Sequence, residues 1–159
     1  MRVGVLSDTH GLLRNEVYAA FEGVEHIVHA GDVGDPGILV ELAALAPVTA
    51  VVGNVDGWDL VERCPEEARL ELAGARLAVV HGHRWGAGPR PDELLAAYPD
   101  ADVIIFGHTH EPLVERRGRA LLLNPGAAGP ARPGRPPTVA VLTLEPGRAP
   151  AARLVRLRG

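Results

Sequence analysis

Five short runs of apolar residues recur along the first two thirds of the chain. They are rich in Val, Ile and Leu, and almost every position within them is apolar. Such continuous apolarity is typical of strands that are buried on both faces of a sheet. We therefore predict core strands at Val3–Leu6, Ile27–Ala30, Val48–Val52, Leu77–Val80 and Val103–Phe106.

Segments with helical spacing of apolar residues separate these strands. The pattern predicts helices at Glu16–Phe21, Pro36–Leu45 and Pro91–Tyr98. The second of them follows Asp35, a good N-cap residue, and begins with proline, which is favoured at the first helical position. Strands that alternate with helices indicate βαβ units, in which helices cover the faces of a sheet.

Other parts of the chain have the pattern of β-hairpins. Paired apolar runs are joined by Gly or Pro-Gly, which is typical of antiparallel strands: Leu70–Leu72 with Leu77–Val80, Leu113–Arg116 with Leu121–Leu123, and Val139–Leu144 with Arg153–Leu157. We expect an α/β protein with a mixed sheet, or with two sheets packed face to face. The Gly/Pro-rich segment Gly126–Pro137 is predicted to be a loop.

Length and composition favour one soluble domain over residues 1–159. The chain is 47% hydrophobic, enough for one buried core. Its longest apolar stretch, Gly37–Val55, is interrupted by Glu41, Pro47 and Asn54, so we predict no membrane span. A single cysteine, Cys64, excludes an internal disulfide, and the first residues lack the pattern of a secretory signal. We therefore expect a cytoplasmic protein.

Charge is unevenly distributed along the chain. Residues 1–111 contain seven Arg and 18 acidic residues, whereas residues 112–159 contain nine Arg and two Glu. The basic part is either a solvated face or a surface that attracts an anionic substrate. The net charge of −4 disfavours binding to long nucleic acids.

Each predicted core strand is followed by residues that can bind a metal ion. These groups are Ser7-Asp8-Thr9-His10, Gly31-Asp32, Gly53-Asn54-Val55-Asp56, His81-Gly82-His83 and Gly107-His108-Thr109-His110. Functional groups of open α/β sheets gather at the carboxyl ends of strands, so we expect the five groups to converge. One such group alone is usually a turn or a cap, but five together favour a metal site.

The chemistry of these side chains points to two ions. Carboxylates, imidazoles and one amide, without a thiolate, suit Mn²⁺, iron or Zn²⁺. Four histidines, two aspartates and an asparagine exceed the needs of one ion. A pair of ions would use them all, and such a pair can activate a bridging water and stabilise displacement at phosphorus.

The ordered motifs D-x-H, G-D, G-N-x-D, H-G-H and G-H-x-H resemble those of the calcineurin-like metallophosphoesterase superfamily. An N-P-G at Asn124–Gly126 is also similar. The resemblance implies a four-layer α/β/β/α sandwich with two mixed sheets, and a function like that of the small bacterial and archaeal phosphodiesterases. It also implies direct attack on phosphorus by metal-bound hydroxide. Mn²⁺ is the expected metal, with iron, Zn²⁺ and Ni²⁺ as alternatives.

The resemblance also implies an allotment of ligands. One ion would be held by Asp8, His10, Asp32 and His110, and the other by Asp32, Asn54, His81 and His108, so that Asp32 bridges them. Many members of the family have a proton-donating histidine between the Asn and Asp of G-N-x-D, where this chain has a valine.

Two further side chains join Asn54 as candidate catalytic residues. His83 is a candidate substitute for the missing proton donor, with a structural role as the alternative. Asp56 is expected to orient a metal ligand by a hydrogen bond. His26 and His29 are predicted to make structural hydrogen bonds only.

Several functions share these motifs. The expected substrate is a small phosphodiester or phosphate ester. Alternatives are a nuclease, a cyclic-nucleotide phosphodiesterase, or a protein-interaction scaffold, since a retromer subunit resembles the same superfamily. The sequence leaves open whether the chain forms a homo-oligomer.

Overall fold

A computed structural model describes residues 1–158 and contains two five-stranded sheets. The strands are β1 (Arg2–Leu6), β2 (His26–His29), β3 (Val48–Ala50), β4 (Glu67–Leu72), β5 (Ala75–Val80), β6 (Val103–Ile105), β7 (Leu113–Arg117), β8 (Ala120–Asn124), β9 (Thr138–Thr143) and β10 (Ala151–Arg156). The helices are α1 (Glu16–Ala20), α2 (Pro36–Ala43), α3 (Trp58–Arg63) and α4 (Pro91–Ala97), with a 3₁₀ turn at His83–Trp85.

Both sheets are mixed, as the sequence predicts. The first has the order β10-β9-β1-β2-β3, with β1, β2 and β3 parallel and the hairpin β9–β10 antiparallel at one edge. The second has the order β4-β5-β6-β8-β7, with β5, β6 and β8 parallel and antiparallel strands at both edges. The three predicted hairpins are therefore confirmed.

Side-chain alternation along the strands builds four layers. In β6, Val103 and Ile105 pack between the two sheets, while Ile104 packs beneath α4 with Leu94. On the far face of the first sheet, a separate cluster buries residues of α1, α2 and α3. Because successive side chains of a strand point to opposite faces, continuous apolar runs serve two cores at once. The expected α/β/β/α sandwich is confirmed.

The structure differs from the predicted elements in two places near the site. Helix α3 was not predicted because it has six residues and buries only Leu60, so it has no apolar periodicity. Strand β3 ends at Ala50 rather than Val52, because the Val52 amide donates to the Pro65 carbonyl and the chain leaves the sheet. Over residues 1–158 no helix is both long and apolar enough to cross a membrane.

Candidate metal centre

The carboxyl ends of the core strands bring the predicted ligands together at one edge of the sandwich. They form two clusters: Asp8, His10 and His110, and Asp32, His81 and His108. Within each cluster the candidate ligand atoms lie within 4.8 Å of one another. The convergence expected from the strand ends is therefore observed, with ligands from both sheets.

The first cluster surrounds one oxygen of Asp8, a fully buried residue. Its Oδ2 accepts hydrogen bonds from Ser7 Oγ at 2.6 Å and from the His108 amide at 3.1 Å. Its Oδ1 lies 3.3 Å from His110 Nε2 and 3.6 Å from His10 Nε2, yet accepts no hydrogen bond within residues 1–158. A buried oxygen without a partner is costly. A cation between these three atoms would satisfy it, so the residues fit a metal ion.

The second cluster surrounds Nε2 of His81. The Nδ1–H of this ring donates to the Ala30 carbonyl at 2.7 Å, which leaves Nε2 as the ligand atom. Asp32 Oδ2 and Asn54 Oδ1 each lie 3.1 Å from that nitrogen. Three atoms with lone pairs therefore face one another, an arrangement that a shared cation stabilises.

The two clusters are adjacent. His10 Nε2 of the first cluster lies 3.8 Å from Asp32 Oδ2, and His81 Nε2 of the second lies 3.9 Å from Asp8 Oδ1. The two carboxylates thus lie between the two sets of imidazoles. This spacing supports a shared ligand.

The ionisation of these groups follows from their contacts. Burial opposes the charged form of Asp8, but contacts with His10, His110, His81 and Ser7 hold its pKa well below the ordinary value. Burial likewise opposes ionisation of Asp32. The contact of Asp32 with His81 outweighs the effect of burial and lowers the pKa of Asp32. Both carboxylates are therefore anionic at neutral pH and can bind cations.

Backbone strain is concentrated at the predicted ligands. Six residues other than glycine have positive φ angles within the described part of the chain, and five of them are Asp8, His10, Asp32, His108 and His110. This region of φ costs of order 1 kcal/mol or more for each residue with a side chain. Strain at five ligands marks the loops as shaped for a site rather than for stability.

Two glycines allow the backbone to approach the carboxylates. A Cβ at Gly53 would overlap Asp32, and a Cβ at Gly107 would overlap Ser7 and press on Asp8. The motifs G-N-x-D and G-H-x-H therefore begin with glycine for a steric reason, since no larger residue leaves room for the ligand opposite.

Asp56 accepts hydrogen bonds from the two loops that carry the predicted ligands Asp32 and Asn54. Its Oδ2 accepts from the Gly53 amide at 2.8 Å, and its Oδ1 accepts from the Gly34 amide at 2.9 Å. The predicted hydrogen bond to a metal ligand is not seen, because within residues 1–158 no ligand side chain bonds to Asp56, and its partners are backbone amides next to Asn54 and after Asp32.

Asn124 is a positioning residue to which the sequence pattern assigned no role. It is fully buried, and its Nδ2 donates to the Gly107 carbonyl at 3.2 Å and to Thr109 Oγ1 at 3.0 Å. Its Oδ1 accepts from the Gly126 amide at 2.9 Å. These bonds hold the loop of His108 and His110, and the N-P-G motif was the available signal.

His83 lies beside the second cluster but outside it. Its ring centroid is 5.5 Å from that of His81 and 6.4 Å from that of His108. Burial lowers the pKa of His83, and the neighbouring His81 and His108 rings act in the same direction.

His108 also has one ring nitrogen available for a metal. Its Nε2 donates to the Gly86 carbonyl at 2.8 Å, which leaves Nδ1 as the ligand atom.

The two remaining histidines make structural hydrogen bonds, as predicted. His26 lies 2.8 Å from Thr49 Oγ1. His29 Nδ1 accepts from the Gly31 amide at 3.1 Å, so its Nε2–H donates to Thr9 Oγ1 at 3.0 Å. The fully buried His29 ring thus ties the end of β2 to the loop between Asp8 and His10.

We predict that His29 makes the fold sensitive to acid. Burial lowers its pKa to about 4, whereas the unfolded chain has the ordinary value of 6.5. The unfolded state therefore binds a proton that the folded state excludes, and stability falls as the pH drops from 6.5 towards 4. At pH 5 the loss is on the order of 2 kcal/mol.

Urea unfolding of the parent and of His29→Gln at pH 7 and pH 5 tests this. The variant is less stable at pH 7, but it should lose about 2 kcal/mol less than the parent on acidification. An equal loss in both proteins would contradict a neutral buried His29.

Comparisons with known proteins agree with this site. Residues 1–147 match the calcineurin-like phosphoesterase superfamily domain. The chain belongs to this superfamily. It is 39% identical over 133 residues to a protein of Methanothermobacter thermautotrophicus named "Probable metallophosphoesterase", covering 80% of this chain and 77% of that protein. It is 30% identical over 166 residues to a phosphodiesterase of Methanocaldococcus jannaschii, covering 91% and 94% of the two chains. The expected resemblance to small archaeal enzymes is confirmed.

A solved structure with a different name has a similar fold. Vacuolar Protein Sorting 29 from Cryptosporidium parvum aligns with a TM-score of 0.87 and 21% identity, over 99% of this chain and 91% of that one. At this identity the likeness supports the fold alone. The choice between an enzyme of this superfamily and a binding scaffold therefore depends on the site residues.

Proposed function

We propose that the protein is a dinuclear metal-dependent phosphodiesterase. The observation that carries the proposal is the pair of adjacent clusters around Asp8 and Asp32, with a buried carboxylate oxygen that lacks a hydrogen-bond donor. Divalent ions bound there would activate water as the nucleophile and neutralise charge on the phosphoryl oxygens.

The proposed ligand sets follow the distances. Asp8, His10 and His110 hold one ion, and Asn54, His81 and His108 hold the other, with Asp32 shared. Oxygen and imidazole ligands without thiolate suit Mn²⁺ as the working metal, with iron, Zn²⁺ and Ni²⁺ as alternatives. The three loops that carry the five strained ligands, together with Asp56, keep these atoms in place before an ion arrives.

The residues around the ligands favour substrates with good leaving groups. Val55, half-exposed beside Asn54, cannot protonate a leaving group, and the His83 ring lies outside the two clusters, 5.5 Å from that of His81. Burial lowers the pKa of His83, so at pH 7 the ring seldom carries the proton that a general acid would donate. We therefore propose that the preferred small diesters are those with good leaving groups.

A complete ligand set supports the enzyme over the scaffold. Backbone strain at five ligands and a buried anionic pair reduce stability without metal, and a surface that only binds proteins needs neither. A nuclease or a cyclic-nucleotide phosphodiesterase would use the same chemistry and would differ in substrate alone.

The proposal is tested by metal-dependent hydrolysis of bis(p-nitrophenyl) phosphate. We expect turnover with Mn²⁺, loss of turnover with excess EDTA and recovery when Mn²⁺ is restored. The rate on p-nitrophenyl phosphate, a monoester with the same leaving group, should be lower by about tenfold or more, because an anionic nucleophile is repelled more strongly by a dianionic monoester than by a monoanionic diester. Absence of diester hydrolysis with Mn²⁺, Fe²⁺, Zn²⁺ and Ni²⁺ would contradict the proposal.

A further inference from the structure

An arginine-lined cavity lies next to the candidate metal centre. It has a volume of about 710 Å³ and is formed by the loop 131–137 and the end of β10. None of its nine lining residues is acidic, and four are arginines: Arg132, Arg135, Arg156 and Arg158. Such a lining favours an anionic ligand, because guanidinium groups bind phosphate oxygens through paired N–H donors.

The loop presents its arginines from a tight turn. The Arg135 amide donates to the Arg132 carbonyl at 2.9 Å, and Pro133 and Gly134 occupy the two central positions. Gly134 has a φ of 73°, as the third position of a type II turn requires. The turn Arg132–Arg135 is therefore a defined structure that holds two guanidinium groups on one side of the cavity.

Hydrogen bonds connect this turn, and a residue just before the loop, to two of the ligand loops. Arg135 Nη1 donates to the Thr109 carbonyl, between His108 and His110, at 3.0 Å. Just before the loop, the Gly129 amide donates to the Asp8 carbonyl at 3.3 Å. The cavity wall is therefore connected by hydrogen bonds to the loops that carry the metal ligands.

The arginines of the cavity are not equally available to a ligand. Arg135 has an ion pair with Glu111 at 2.7 Å, so part of its charge is already compensated, and Arg132 and Arg156 are the better candidates for a ligand.

Arg14 connects the two segments that carry the cavity arginines. Its Nε donates to the Gly129 carbonyl at 2.9 Å, and its Nη1 donates to the Arg158 carbonyl at 3.1 Å. Gly129 and Arg158 are thus held close together, and the arginines of the loop 131–137 and of the end of β10 line the same cavity.

We propose that this cavity is a subsite for a second phosphate group of the substrate, so that the preferred diesters carry a phosphate monoester close to the scissile bond. The inference rests on the proposed phosphodiesterase function and narrows its substrate class. A compact substrate fits better than a long polyanion, because residues 1–111 contain 18 acidic residues and only seven Arg, and the basic surface is local.

The test compares two dinucleotides with Mn²⁺ present: thymidylyl-(3′–5′)-thymidine and the same compound with a 5′-phosphate. We expect kcat/KM of the parent protein to be roughly 10- to 30-fold higher for the phosphorylated compound, as expected for a charge-assisted contact. In Arg132→Ala and Arg156→Ala this preference should fall to about threefold or less. Arg153→Ala, an exposed arginine on β10 that does not line the cavity, should keep it.

Two results would overturn the inference: no preference in the parent protein, or a preference that survives both cavity substitutions. If no diester is hydrolysed, the phosphodiesterase proposal has failed, and a binding measurement decides the subsite. Calorimetric titration with tripolyphosphate in EDTA should then show binding that Arg132→Ala weakens by roughly tenfold and Arg153→Ala does not. Absence of tripolyphosphate binding would overturn the subsite as well.

Discussion

Asp32→Asn should lower the rate of bis(p-nitrophenyl) phosphate hydrolysis by about 10³-fold or more. The reason is its position: Asp32 Oδ2 lies 3.1 Å from His81 Nε2 in one cluster and 3.8 Å from His10 Nε2 in the other. The substitution keeps the shape of the side chain but removes the negative charge that two cations would share. A loss of that size corresponds to about 4 kcal/mol of transition-state stabilisation.

Asp59→Asn is the matched control for this substitution. Asp59 is exposed in the first turn of α3, away from both clusters, and its replacement changes the net charge equally. The control should retain activity within about twofold, as surface substitutions generally do. Activity of Asp32→Asn close to that of Asp59→Asn, with metal bound in both, would contradict a shared carboxylate.

Saturating Mn²⁺ should raise the melting temperature of the protein by roughly 10 °C. A ligand at 1,000 times its Kd stabilises a fold by about 4 kcal/mol, and a domain of this size gains about 2–4 °C per kcal/mol. The structural reason is that a cation supplies the partner that Asp8 Oδ1 lacks and reduces repulsion between two buried carboxylates.

Asp8→Asn separates this effect from general ion binding. Without metal, the variant should melt below the parent, because contacts with His10, His110 and Ser7 favour the ionised form of Asp8 in the fold. With Mn²⁺ it should gain at most a small part of the parent's increase, while Asp59→Asn gains all of it. Equal melting temperatures of the parent in EDTA and in Mn²⁺, measured by calorimetry, would contradict the proposed site.

The position of the site could be predicted from the sequence because it depends on topology. Runs such as Val3–Leu6 and Val103–Phe106 identify buried strands, and parallel strands place the residues that follow them at one edge. His81 and His108, from the second sheet, meet Asp32 from the first for this reason.

The division into two clusters could not be predicted from spacing, since it depends on how the two sheets are placed against each other. The role of Asn124 depends on the path of the loop carrying His108 and His110, which the N-P-G motif does not encode. Helix α3 was missed because only Leu60 is buried, so the usual periodic signal is absent.

The role of the basic residues in 112–159 could not be predicted from the sequence for a related reason. The count of nine arginines in residues 112–159 cannot distinguish a solvated face from a binding surface. The distinction requires knowing that Arg132 and Arg156, far apart in sequence, line the same cavity.

The most direct test of a two-ion centre is the anomalous difference map of crystals grown with Mn²⁺, recorded on both sides of the Mn absorption edge. We expect two peaks that vanish below the edge, one contacting Asp8, His10 and His110 and the other contacting Asn54, His81 and His108, with Asp32 touching both. A single peak, or none at these residues with Mn²⁺ in excess, would contradict a two-ion centre.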